Sequence, residues 1–105
     1  MLVVTSDTVP GKKILSTIGH VKGSAARARN VGADFLAGLK NIVGGEVEEY
    51  SRLLQQTRDQ AIERMVKDAE SKGADALIAF RIQSSTIAQG ASEVVAYGTG
   101  VKLEV

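Results

Sequence analysis

The segment Glu46–Lys72 constrains this chain more than any other. Val47, Tyr50, Leu54, Thr57, Ala61 and Met65 recur at spacings of three and four, and Leu53, Val66 and Ala69 widen the stripe. That pattern is one face of an amphipathic helix laid on a core. On the outer side Glu48–Arg52, Glu63–Lys67 and Asp68–Lys72 place an acid four residues before a base; each pair adds a few tenths of a kcal/mol. Gly73 stands where a C-cap glycine belongs. At 1.5 Å per residue such a helix is roughly 40 Å long. A compact globule of this size has a radius of gyration of roughly 13 Å and a diameter of about 33 Å. The expectation is that part of the stripe meets something other than the chain's own small sheet.

The remaining segments supply that sheet. Leu2–Thr5 is a short β-branched run closed by Asp7 and Pro10-Gly11, and residues 12–22 (KKILSTIGHVK) read as a second strand bent at Gly19. GSAARAR after it reads as a loop or as the frayed continuation of that strand. Asn30 caps a predicted short helix through Asn41, with Val31, Phe35, Leu39 and Ile42 on one face. After the long helix, ALIAFRIQSST and SEVVAYGTGVKLEV form a hairpin around AQGAS. In the first of these Ile78, Phe80 and Ile82 share a parity. In the second, Val94, Ala96, Gly98, Gly100 and Lys102 make a nearly bare face that admits a bend or the close approach of another element. The order is β-β-α-α-β-β, a single α+β domain over residues 1–105. Two strand pairs leave unpaired edges, and Val94–Val105 lacks the internal proline or dense charge that guards an edge.

Composition removes several functions. The chain has no cysteine and one histidine, which excludes disulfides, thiolate metal sites and cysteine nucleophiles. Its net charge of +1 and four aromatic residues give no reason to expect nucleic acid or an anionic membrane as partner. No apolar run approaches the roughly 20 residues that span a bilayer, and the N-terminus lacks the pattern of a signal peptide. A cytoplasmic protein is expected.

Three places could carry chemistry. Glu46, Glu48 and Glu49 follow Gly44-Gly45, but they spread over about 300° of helix circumference and cannot converge on one ion from one chain. Their simpler role is to complement the positive end of the helix dipole. Tyr50 with Arg52 or Arg58 could clamp an anion, although Tyr50 lies on the apolar stripe. His20 shares a strand parity with Ile14 and Ile18, and a lone imidazole cannot form a zinc site, which needs two or three nitrogen or sulfur ligands. No G-x-S-x-G elbow is present, and His20 has no recognisable carboxylate partner.

The stretch FLAGLKNIVGGEVEEYSRLLQQTRDQAIERM, then SKGADALI and the terminal AYGTGVKLE, resembles the YbjQ-like family of small bacterial and archaeal proteins. The likeness also takes in G-H-V-K-G at the end of the second strand. It implies an α+β fold whose subunits close into a ring, a pentamer, with strands of neighbours joined. The family is uncharacterised and carries a heavy-metal-binding label. Soft metals want thiolate or imidazole, which this chain scarcely offers. Where relatives resemble GGRSGAYE, this chain reads GGEVEEY, so an arginine position has become Glu46.

Two function classes follow. The first is a non-enzymatic, ring-forming binding or scaffold protein, with a ligand at a subunit interface. Glu46, Glu49, Tyr50 and Arg52 are its ligand-binding candidates, His20 its metal candidate, and a divalent metal ion the one cofactor it admits. The second is an enzyme with a composite inter-subunit site around Tyr50 and the glutamates of the helix start. The lack of a self-contained base–nucleophile pair favours binding. A homo-oligomer is expected, built through the helix and the terminal strands.

Overall fold

The computed structural model of this chain describes the backbone of residues 1–28, 45–88 and 91–104, and the side chains of all of these but 27, 28, 45–51, 86–88, 91 and 92. Along the chain come β1 (Leu2–Val3), β2 (Ile14–Ala28), α1 (Gly45–Ser71), β3 (Ala76–Ala88) and β4 (Ala91–Leu103). The order among the described residues is β-β-α-β-β; the helix expected over Asn30–Asn41 lies outside them. One four-stranded sheet has the order β1-β3-β4-β2. β1 runs parallel to β3, and the other neighbours are antiparallel.

Local chemistry sets the ends of these elements. Pro10 and Gly11 fill the centre of a tight turn closed by the Lys12 N–H donating to the Val9 carbonyl at 3.0 Å, with Gly11 at φ 80°. The helix ends in a Schellman motif. Gly73, at φ 81°, donates to the Glu70 carbonyl, and Ala74 donates to that of Ala69, both at 3.0 Å. The hairpin is tighter than AQGAS suggests, since Ala88 and Ala91 already pair. GSAARA is strand rather than loop: β2 runs on to Ala28, paired residue by residue with β4. The bend expected at Gly19 is present as a register shift between Thr17 and Gly19.

Packing decides which faces meet. Among the described residues of the helix, the buried ones are Thr57, Ala61, Met65 and Ala69, each four apart. Of these, Ala61, Met65 and Ala69 lie on Val21, Ala25, Leu77, Val94 and Ala96. The bare face of β4 is thus the one beneath the helix, where Val94, Ala96, Gly98 and Gly100 are all buried. Gly23 of β2 marks the closest approach. A Cβ there would collide with the backbone of Ala61 and Met65 and stand 2.6 Å from the Arg64 carbonyl carbon. A second, smaller cluster of Val9, Ala76 and Val101 takes in Val4, Ile14, Ile78 and Leu103.

Three expectations are corrected. Ile78, Phe80 and Ile82 do not share a face. Ile78 pairs with Thr99 and Arg81 with Tyr97, so Ala79 and Phe80 bulge opposite Gly98. Phe80 then packs under the helix while Ile78 joins the smaller cluster. Ala79 sits at φ 53°, a left-handed conformation uncommon for a residue with a Cβ. The chain offsets this locally, because Ala79 N–H donates to the Ser6 carbonyl at 2.9 Å and Phe80 N–H to that of Val4 at 3.1 Å. Second, the segment expected to be an edge is central as far as Leu103: β4 lies between β3 and β2. Third, the body is not compact. Its radius of gyration is 17.2 Å and its extents are 55 × 24 × 16 Å. Strands of 13 to 15 residues span about 43–50 Å at roughly 3.3 Å per residue. The helix is offset along this sheet: with Lys72 at His20 and Arg64 at Ser24, the end of β2 at Ala28 comes level with about residue 55, and the first turns of α1 run past it.

Replacing Gly23 by alanine forces helix and sheet apart. A loss of about 2 kcal/mol or more is expected, at the upper part of the overpacking range, read as a lowered urea midpoint at unchanged slope.

Candidate functional site

The sheet has one covered face and one open face. Alternation puts Val21, Gly23 and Ala25 under the helix and His20 and Lys22 on the other side. Tyr97 is the register partner of Lys22 on β2 and of Arg81 on β3. The smaller cluster covers the lower end of this face. Above it an open groove of about 420 Å³ is lined by His20, Gln83, Ser85, Val95 and Tyr97. The His20 and Tyr97 rings lie 6.3 Å apart at 59°, a tilted arrangement within the range of favourable aromatic pairs. Arg81 is turned away and tied down, donating to the carbonyls of Phe80 at 2.7 Å and Thr5 at 3.1 Å. The groove thus offers an imidazole, a phenol, an amide and a hydroxyl over the apolar floor of Val95. Such a surface can hydrogen-bond a small polar ligand, and its lining contains no carboxylate.

The sequence candidates do not come together in one chain. His20 is exposed on β2 beside the last turn of α1, where the Lys72 ammonium donates to its carbonyl at 3.2 Å. Glu46, Glu49 and Tyr50 belong to the first two turns of α1; their side chains lie outside the described residues. Tyr50 and Asp68 are separated by roughly 27 Å along the helix axis at 1.5 Å per residue. Arg52 is exposed. Any site using His20 and the helix-start glutamates together must draw them from different subunits.

Residues read only as a surface ion pair prove more consequential. The Asp68 carboxylate accepts the Lys22 N–H at 3.0 Å and the Lys72 ammonium at 3.2 Å. One turn earlier, Arg64 donates to the Ser24 carbonyl at 2.7 Å. Glu63–Lys67, by contrast, is the solvated pair that its spacing suggests, with both side chains about two-thirds exposed or more (67% and 73%). The Asp68 carboxyl is held below the ordinary carboxylate range, first by the Lys22 N–H and then by Lys72, against the opposing effect of partial burial. The signal available in sequence was the stripe Arg64, Asp68, Lys72, four residues apart.

The donor set does not fit a soft heavy metal within one chain. Cysteine is absent and His20 is the only imidazole. Of the two thioethers, Met65 is fully buried in the main core and cannot turn outward. Among the described residues no three or more His, Cys, Asp or Glu side chains converge on a point.

A family model described as "Putative heavy-metal-binding" (YbjQ) matches residues 1–104. A UPF0145 protein of Clostridioides difficile is 54% identical over 104 residues, covering 99% of this chain and 93% of that one. A UPF0145 protein of Methanosarcina acetivorans is 47% identical over 103 residues, covering 98% and 97%. One of Halobacterium salinarum is 50% identical over 103 residues, covering 98% and 99%. Among solved structures, a crystal structure of a protein of unknown function from Pediococcus pentosaceus, of the DUF74 family, shares the fold with a TM-score of 0.66. Its identity is 16%, and the alignment covers 99% of this chain and 98% of that one.

Two outcomes follow. Calorimetric titration with Cd²⁺ or Hg²⁺ should show no sub-micromolar binding; if it does, His20→Ala abolishing it would assign an imidazole site shared between chains. For Asp68, the folded carboxyl titrates below the unfolded one, so its stabilisation is present above about pH 4 and lost as pH falls through the depressed value. Asp68→Asn should flatten this acid limb in urea melts taken between about pH 2 and 6.

Proposed function

We propose that this chain, which belongs to the YbjQ family of small uncharacterised proteins, works as a homo-oligomeric binding or scaffold protein and not as an enzyme. The observation that carries this reading is the exposed arm of the sheet. β1 pairs with β3 only at Ala76 and Leu77, and the segment after it binds Ala79, Phe80 and Arg81. From Ile82 onward the outer edge of β3 has no strand partner among the described residues. Ile82 itself is 39% exposed. An extended edge bearing an exposed aliphatic side chain invites pairing with another chain, and closed symmetry is the usual way to satisfy such edges without forming a fibre.

The pentamer is the number that the family resemblance implies. In such a ring the groove at His20 and Tyr97 faces a neighbour or a shared cleft. The ligand is a small polar species or a hard divalent ion held between subunits, with Glu46, Glu49, Tyr50 and Arg52 as further candidates from the adjoining copy. No catalytic role is assigned, because among the described residues no carboxylate is hydrogen-bonded to the His20 imidazole, and Asp68 interacts with it only through space.

Light scattering after size exclusion tests the assembly at micromolar concentration. One species several times the 11.1 kDa chain mass is expected, and a monodisperse monomer would refute the reading. Ile82→Asp should shrink the assembly while leaving the circular dichroism unchanged. Leu103 is unsuited to this test, since it packs on the Val9–Ala76–Val101 cluster and its loss would unfold the subunit. Lys67→Ala, on the solvated helix face, should change nothing.

A further inference from the structure

β2 is an edge strand of the sheet, and its outward hydrogen-bonding groups belong to alternate residues. Three consecutive outward positions are occupied. The His20 carbonyl accepts from Lys72 at 3.2 Å, the Lys22 N–H donates to Asp68 at 3.0 Å, and the Ser24 carbonyl accepts from Arg64 at 2.7 Å. The helix runs antiparallel to the strand above this edge. Four residues of helix rise about 6.0 Å and two residues of strand about 6.7 Å, so side chains at 72, 68 and 64 fall opposite 20, 22 and 24 in turn. The drift is under about 1 Å per rung, which long side chains absorb over this short run. The next position on the stripe is Gln60, exposed and uncharged.

Resting on the assembly reading above, we propose that Arg64, Asp68 and Lys72 form an edge guard. They close the middle of β2, over His20–Ser24, to a strand of a second copy and leave edge pairing between copies to the stretches outside it, 14–19 and 25–28 of β2 and 82–88 of β3. A strand adding at 20–24 would have to displace three charge-assisted hydrogen bonds. It would also bury Asp68 or Lys72 beside its own backbone, a desolvation that the new main-chain bonds do not repay. Covering an edge with a helix and setting charge along it are both means by which proteins suppress unwanted strand addition. Here one helix stripe does both. The guard therefore limits the registers of assembly: with it, no strand can pair continuously along β2; without it, the whole length of β2 becomes adhesive.

The test compares Asp68→Ala, Asp68→Asn and the double variant Arg64→Ala/Lys72→Ala with the wild type by light scattering after timed incubation, with helix content followed by circular dichroism. Asp68→Ala and the double variant should keep their helix yet grow into larger, heterogeneous species, with roughly a doubling or more of weight-average mass. Asp68→Asn retains an oxygen that accepts the Lys22 N–H and should stay near the wild-type size. If the folded variants remain as monodisperse as the wild type, the guard is refuted. Should Asp68→Ala lose its helix, the double variant decides, because Arg64 and Lys72 are both exposed. A monomeric wild type would sink the assembly reading alone; growth of the variants from that monomer would still support the guard.

Discussion

The structure depends on how closely α1 is allowed to approach the sheet. At Gly23 the helix backbone takes the space where a side chain would stand, with Ala61 and Met65 directly above. Small residues on both sides make this contact possible: Thr57, Ala61 and Ala69 on the helix, Ala25 and Ala96 on the strands. Backbones at this distance exchange dispersion contacts over a long shared length, individually about 0.1–0.2 kcal/mol and collectively large. Met65 and Leu77 fill the space that the small residues leave, both with no exposed surface. The same proximity brings Arg64, Asp68 and Lys72 within reach of the β2 edge. Had the helix stood at an ordinary distance, these side chains would be one more set of solvated charges.

The other end of the sheet is organised by the bulge at Ala79 and Phe80. One extra residue opposite Gly98 moves Phe80 beneath the helix and leaves Ile78 on the far side with Val9 and Val101. A single strand thereby serves two cores on opposite faces. The strained φ of Ala79 persists because residues 4–6 bind both bulged N–H groups. N-terminal segment and bulge stabilise each other, and beyond Arg81 the strand emerges as an arm. The groove of His20 and Tyr97 opens above the small core, on the face opposite the helix. Its position follows from where the N-terminal cover stops. Asp75 completes this end, accepting the Leu103 N–H at 2.9 Å and so tying the turn after α1 to the last residue of β4.

Much of this was legible in the residues. The 27-residue helix, its glycine cap, the Pro-Gly turn, the bend at Gly19 and the hairpin all rest on interactions between near neighbours, which a sequence displays as period or as residue type. The bare face of β4 was legible as well, though only as a permission; which element would use it was open. Family membership came from the order and spacing of motifs along nearly the whole chain. The candidate site was far less accessible. His20 was singled out for being the lone imidazole, but its companions Tyr97, Gln83 and Ser85 come from strands more than sixty positions away. Asp68 looked like half of a surface pair, because its stronger partner is a backbone N–H, and backbone groups leave no trace in residue type.

By itself, then, the sequence determined the helix, the strand segments, the α+β class and the absence of thiolate chemistry, since each depends on local period or on composition alone. Only the tertiary structure decided the strand order, with β4 at the centre rather than at an edge, and the parity of β3. A single bulged residue inverts every later side chain, and no local preference announces it. It also decided the elongated body: the length of the strands and the offset of the helix along them are fixed only once their pairing is known. The edge contacts at Lys22 and Ser24 belong to the same class. They require a helix and a strand forty residues or more apart in sequence to run side by side with commensurate rises, a coincidence that exists only once the fold has closed.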